Sequence, residues 1–266
     1  MKKLSNVAVL GPEGTFTESA AKKMFGESEL IYCDNVSDVF EQVEKGADYG
    51  VMAIENSIEG SVNTTVDNLL EHDLKIVAEN VIDINLCLIA LPETGREDIM
   101  SIVSHPHALA QCEKYVRKNF PGARLVRYES TTAAIKEVRD SHLETTAAIG
   151  PKYAANKYGL KILEEHVEDS PSQTRFIAVS KKEADGKKTS IIMSLKDRPG
   201  SLYDVLKDFA ESKINLTKIE SRPSKKKLGE YLFYIDFEGS LKDAKIKNVL
   251  EKVKEKTTLL KLLGSY

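Results

Sequence analysis

Cysteine is scarce in this chain, and so are long apolar stretches and any excess of one charge. Cys33, Cys87 and Cys112 are odd in number, far apart and never in a CxxC pair. That excludes a disulfide framework or a cysteine-rich metal site and predicts three small buried apolar side chains. No run of about 18 apolar residues occurs, so no membrane-spanning helix is expected. Met1-Lys2-Lys3-Leu4-Ser5-Asn6 carries two lysines but no long apolar region behind them. It leads into the short run Val7–Leu10, which reads as a strand rather than a signal peptide, and a cytoplasmic location is expected. The net charge of −3 gives no footprint for nucleic acid or an anionic membrane. Gly11-Pro12-Glu13-Gly14 is not GxGxxG, and no GxxxxGK[ST] or GxSxG is present. His105-Pro106-His107 has no acidic or cysteine cluster beside it, so a loop or cap fits better than a metal site. No metal and no cofactor are expected.

What is present is an ordinary globular balance, 41% apolar and 30% charged, over 266 residues, enough for roughly two domains. Up to about residue 180, short apolar runs alternate with helical patterns. Strands are predicted at 7–10, 30–33, 49–54, 75–81, 86–91, 99–103, 123–126, 146–149 and 176–179. Helices are predicted at 17–25, 36–44, 108–118, 132–139 and 153–158. This alternation predicts open α/β sheets in two lobes with a cleft between them. Residues 181–188 are polar and contain a glycine, as a linker does. Beyond them the order is β-α-β-β-α-β: strands at 189–195, 214–220, 230–237 and 257–262, helices at 202–211 and 241–254. That order is ferredoxin-like. Lysines 225–227 between two of its strands read as a solvated hairpin tip.

Four predicted strands run straight into small polar residues that could open a helix. They end at Gly11–Thr17, at Glu55-Asn56-Ser57, at Ser104–His107 and at Glu129–Thr132. Ligands of α/β sheets bind beyond the carboxyl ends of strands, where helix N-termini offer unpaired N–H groups to anions. Any one such loop is explained by N-capping. Four together predict a shared cleft for a small anion.

These segments resemble the prephenate dehydratase family. Gly11-Pro12-Glu13-Gly14-Thr15-Phe16-Thr17 is similar to its opening motif, and Ile54-Glu55-Asn56-Ser57-Ile58-Glu59-Gly60-Ser61-Val62 to its IENSxEGxV segment. Ser104-His105-Pro106-His107-Ala108-Leu109-Ala110-Gln111-Cys112 resembles SHPQALAQC, with His107 where glutamine is usual. Ser130-Thr131-Thr132 and Thr174-Arg175-Phe176, the TRF motif, follow in family order. The tail resembles the family's ACT domain: Gly200-Ser201-Leu202 stands where GAL is usual, and Glu220-Ser221-Arg222-Pro223 is the ESRP motif. One departure lies before Thr174, where Ser172 or Gln173 replaces an asparagine. With Val7–Leu10 read as the first catalytic strand, the helical chorismate mutase domain fused to some relatives is not expected here.

The resemblance implies a periplasmic-binding-protein-like catalytic region over 1–180, a linker over 181–188 and a regulatory ACT domain over 189–266. It implies dehydration and decarboxylation of prephenate to phenylpyruvate. By family match, Thr174 is the donor to the leaving hydroxyl. Thr15, Glu55, Asn56, Ser57, Ser104, Gln111, Ser130 and Arg175 are expected to hold the substrate. Glu55 is also a candidate proton source if burial raises its pKa, with a hinge or cap role as its alternative, and Arg175 has a structural ion pair as its alternative. Phenylalanine is expected at Gly200, Ser201, Leu202, Asn215, Leu216, Glu220, Ser221, Arg222 and Pro223, in a homo-oligomer, a dimer of dimers, paired through these domains. The competing readings are an arogenate dehydratase, a solute-binding protein and an inactive amino-acid sensor.

Overall fold

The computed structural model describes residues 4–225 and 230–266. The chain first lays down β1 (Asn6–Leu10), α1 (Phe16–Phe25), β2 (Glu29–Cys33), α2 (Val36–Lys45), β3 (Tyr49–Asn56), the two-residue β4 (Gly60–Ser61), α3 (Asn63–Glu71) and β5 (Lys75–Ile84). It then crosses into a second lobe: β6 (Leu86–Ala90), β7 (Ser101–Ser104), α4 (Pro106–Gln111), α5 (Glu113–Asn119), β8 (Arg124–Arg127), α6 (Thr131–Asp140), β9 (Thr146–Pro151), α7 (Lys152–Tyr158) and β10 (Lys161–Glu165). β11 (Ser172–Ser180) returns to the first lobe and inserts between β3 and β5. The first sheet therefore runs β2-β1-β3-β11-β5 and the second β10-β6-β9-β7-β8. Two lobes joined by two chain crossings are the periplasmic-binding-protein-like arrangement the sequence implied.

The C-terminal domain contains β12 (Lys188–Leu195), α8 (Ser201–Glu211), β13 (Leu216–Pro223), β14 (Tyr231–Glu238), α9 (Ala244–Lys256) and β15 (Thr257–Ser265). Its sheet order, β13-β14-β12-β15, is ferredoxin-like. Of the expected lysine hairpin tip, Lys226 and Lys227 lie outside the described residues. Lys225 pairs with Asp67 at 2.6 Å. Among the described residues no helix is long and apolar enough to cross a membrane.

Period-two patterning sorts the first sheet into two faces. Val51, Phe176 and Ala178 pack under Ala20 and Ala21 of α1. Met52, Ile54, Ile177 and Val179 pack under α2 and α3, and there Ile192, Tyr234 and Leu263 of the C-terminal sheet join the same core. The C-terminal domain thus covers the back of the first lobe. All three cysteines are buried, and burial pushes the Cys87 thiol up to about 11.

Several elements differ from the sequence reading. The helix expected at 108–118 is two helices broken at Cys112. The Asp169 carboxylate accepts from Lys114 N (2.8 Å) and Tyr115 N (2.9 Å), capping a new helix from across the lobe. Glu55-Asn56-Ser57 does not open a helix: Glu55 and Asn56 complete β3, and the helix starts only at Asn63. That helix was not anticipated, because the segment Asn63–Glu71 is rich in weak helix formers.

Candidate active site

Thr174 lies at the carboxyl end of the first sheet, two residues after the chain re-enters it. It shares the α1 face of β11 with Phe176 and Ala178, and it is 8% exposed. Its partner on β3 is Asn56, whose Nδ2 donates to Thr174 Oγ1 at 2.9 Å. The amide cannot face the other way, because Asn56 Oδ1 accepts from Ile58 N (2.9 Å) and Glu59 N (3.2 Å). With the oxygen of Thr174 accepting from the amide, its own proton is free to be donated elsewhere.

A bulge makes this pairing possible. Arg175 lies opposite Glu55, yet Phe176 lies opposite Ala53, so β3 carries one extra residue. Simple alternation would put Glu55 beside Val51 and Ala53 on the α1 face. The bulge reverses it. Asn56 joins Thr174, while Glu55 turns to the back of the sheet and pairs with Lys218 at 2.9 Å and Arg175 at 3.4 Å.

The two lobes meet at several of the other expected residues. Thr15 caps α1, accepting from Glu18 N (3.3 Å) and donating to Leu10 O (3.3 Å). Ser130 caps α6, accepting from Ala133 N at 2.9 Å. These two helix N-termini, from different lobes, touch where Thr132 Oγ1 donates to Gly14 O (3.1 Å). First-turn N–H groups have no intrahelical partner and favour anions. On the other rim Gln111 Nε2 lies 3.4 Å from Glu59 Oε1, and His107 pairs with the same carboxylate. Ser57 Oγ accepts from Gln173 N (2.9 Å), fixing the turn after β3 to the strand that carries Thr174.

Other expected residues serve the protein itself. Ser104 is fully buried and donates to Ile149 O at 2.5 Å, locking β7 to β9. Arg175 reaches Asp236 Oδ2 at 2.6 Å, Glu79 Oε2 at 2.7 Å and the Tyr266 hydroxyl at 2.9 Å, all on the back of the sheet. Its guanidinium is thus occupied by an internal ion-pair cluster, and the structural alternative is the one this geometry favours. Gln173 donates to Asp83 Oδ1 at 2.8 Å and points outward. Ser172 is buried on the Thr174 side of β11.

In the C-terminal domain Gly200 adopts φ +84° before α8, a conformation that suits glycine. Ser201 Oγ donates to Lys196 O at 2.8 Å, Leu202 and Leu216 join the domain core, and Asn215 donates to Glu238 at 3.2 Å. Glu220 touches Ser61, and Arg222 pairs with Asp67 at 3.0 Å, while Ser221 and Pro223 on the alternate face are exposed.

A residue the sequence reading passed over is Glu18. Its carboxylate is fully buried and receives Gly14 N (2.6 Å), Lys22 Nζ (2.6 Å) and the Tyr153 hydroxyl (2.7 Å) of the second lobe. Burial alone would raise its pKa. The Lys22 ammonium, the Gly14 amide and Tyr153 outweigh burial and bring it down to about 2. A carboxylate whose folded pKa is depressed stabilises above its unfolded value, and that stability is lost as pH falls from about 4.5 toward about 2. Glu18→Gln should therefore lower stability at neutral pH, by about 1–3 kcal/mol, and flatten the loss of stability in that acid window. Denaturant titrations at neutral pH and in that window check both; a variant as acid-sensitive as the parent would refute the assignment.

The family model "Prephenate dehydratase" matches residues 7–184 and the model "ACT domain" residues 189–255. A prephenate dehydratase of Methanocaldococcus jannaschii is 46% identical over 96% of this chain and 95% of its own length. An arogenate dehydratase/prephenate dehydratase of Arabidopsis thaliana is 39% identical over 98% of this chain and 72% of its own. The crystal structure of a prephenate dehydratase from Arthrobacter aurescens in complex with L-Phe superposes with a TM-score of 0.90 at 35% identity, covering 97% of this chain and 89% of that one. The chain belongs to the prephenate dehydratase family and carries the ACT domain at its C-terminal end.

Proposed function

We propose that this chain converts prephenate to phenylpyruvate, with Thr174 as the donor to the leaving hydroxyl, in a catalytic region over 1–180 governed by an ACT domain over 189–266. Prephenate is a dianion. It takes up one proton and releases water and carbon dioxide, and the ring becomes aromatic. Aromatisation supplies the drive; the obstacle is departure of hydroxide. A positioned donor to that oxygen contributes about 10²–10⁴-fold. The observation that carries the reading is the Asn56–Thr174 pair, in which the amide donates to the threonine oxygen and leaves its proton for the substrate.

In this reading Thr15, Ser130 and the helix N-termini they cap receive the carboxylates, with Gln111, Asn56 and Ser57 completing the cleft wall. Charge that develops as the C–O bond breaks meets prearranged neutral donors rather than reorganising water. Regulation enters through the ACT domain: L-phenylalanine binds at Gly200–Leu202, Asn215, Leu216 and Glu220–Pro223. The edge strand β13, with Ile219 46% exposed, supports pairing of these domains between copies in a homo-oligomer; the family reading adds a dimer of dimers and a cytoplasmic location. Incubating the purified protein with prephenate should give phenylpyruvate, at a rate that phenylalanine changes. No phenylpyruvate would reject the activity, and an equal rate with phenylalanine would reject the regulation. Arogenate run in parallel decides which substrate is preferred.

A further inference from the structure

The two residues of the Asn56–Thr174 pair each have a neighbour in the chain that reaches the opposite way. Glu55, next to Asn56, is held by Lys218 of β13 at 2.9 Å. Arg175, next to Thr174, is held by Asp236 of β14 at 2.6 Å and by the Tyr266 hydroxyl at 2.9 Å. Glu55 and Arg175 themselves approach to 3.4 Å. These contacts are sheltered: Arg175 and Lys218 side chains are 11% and 10% exposed, and Asp236 is fully buried. Asp236 is in turn bound by Ser190, which also contacts the Tyr266 hydroxyl at 2.6 Å. Lys218 Nζ further donates to Ser61 at 2.7 Å and lies 3.5 Å from Glu220.

We propose that Lys218 and Asp236 are positioning residues that clamp the two strands bearing Asn56 and Thr174, and that the clamp is the route by which a ligand at the C-terminal domain changes turnover. The inference rests on the reading of Thr174 as the donor. Its physical basis is the rigidity of a strand across its own pleat. Adjacent residues on β11 and β3 point to opposite faces, so a shift of Arg175 or Glu55 at the back moves Thr174 or Asn56 at the front. Buried ion pairs have narrow geometries, since separating them leaves an uncompensated charge. Lys218 is shared between Glu55 and Glu220, so a ligand that draws Glu220 away alters what holds Glu55. The cluster thus has one end at the catalytic strands and the other in the Glu220–Pro223 segment.

The test is a kinetic double-mutant cycle on the full-length protein, with folding checked by circular dichroism and phenylalanine binding measured by calorimetry. Lys218→Met should lower kcat on the order of tenfold while KM changes little, and Lys218→Arg should restore most of it. In a Thr174→Ala background the same change should lower kcat no further, because the positioned group is gone. Lys218→Met should still bind phenylalanine yet respond to it less. Unchanged kcat and unchanged response in Lys218→Met would overturn the proposal, and so would an equal drop in both backgrounds, the mark of a merely structural residue. Tyr266→Phe, which removes one hydroxyl from the Asp236 arm, tests that arm without stranding a buried charge and should show the same pattern in smaller degree. Full turnover in Thr174→Ala alone would instead reject the reading of the site, a result distinct from failure of the clamp.

Discussion

Thr174→Ala is expected to lower kcat by about 10²–10⁴-fold with KM nearly unchanged. In the proposed role the hydroxyl would interact most strongly with the leaving oxygen as negative charge grows there, so the loss falls on the transition state rather than on substrate binding. A thousandfold loss corresponds to about 4 kcal/mol, within what removal of one preorganised donor costs. The fold should survive. The substitution leaves the Asn56 amide without its acceptor, a cost of about 1–3 kcal/mol, against a typical folding stability of about 5–15 kcal/mol. Thr174→Ser keeps the hydroxyl and loses only a methyl group, so it should retain most activity. Steady-state kinetics on the three proteins settles the point: an alanine variant within severalfold of the parent would remove Thr174 from the chemistry.

Asn56→Asp should be nearly as damaging, although it changes one nitrogen to oxygen. The new carboxylate still accepts from the Ile58 and Glu59 amides, so the turn after β3 is kept. Toward Thr174, however, the polarity reverses. A donor at 2.9 Å becomes an acceptor, and the threonine proton turns to it instead of to the substrate. The extra negative charge also opposes a dianion. A loss on the order of 10²-fold follows from misdirecting the donor. Asn56→Ala removes the amide but leaves the hydroxyl free, so it should lose less than the aspartate variant. The aspartate variant should recover partly as pH falls toward about 4, where the carboxyl is protonated and can donate again. A pH–rate profile of the three proteins checks this. If aspartate proved milder than alanine, the hydroxyl's orientation would not be what Asn56 provides.

Much of this site could be read from residue order. Thr15 and Ser130 sit before helices and cap them, as small hydroxyl residues in that place should. The Thr174-Arg175-Phe176 segment lies on β11, the strand that returns to the first lobe between β3 and β5. Ser104, in contrast, looked like a ligand residue and is an internal tie, because nothing local reveals that Ile149 O, forty-five residues away, takes its proton. Glu18, a first-turn carboxylate of α1, went unremarked in the sequence. Only the approach of Tyr153 from the other lobe makes it a buried tie between lobes. The break at Cys112 has the same origin, since the capping carboxylate of Asp169 arrives from a distant loop.

By itself the sequence determined the class of architecture, the ferredoxin-like order of the tail and the family, since these depend on local periodicity and on motifs carried in linear order. The tertiary structure decided which residue of each pair takes the α1 face of the sheet and which takes its back. The reason is the bulge in β3. Alternation along a strand assigns faces only while pairing stays in register, and one extra residue exchanges the two faces for everything beyond it. That single slip turned Asn56 toward Thr174 and delivered Glu55, with Arg175, to Lys218 and Asp236 of the C-terminal domain.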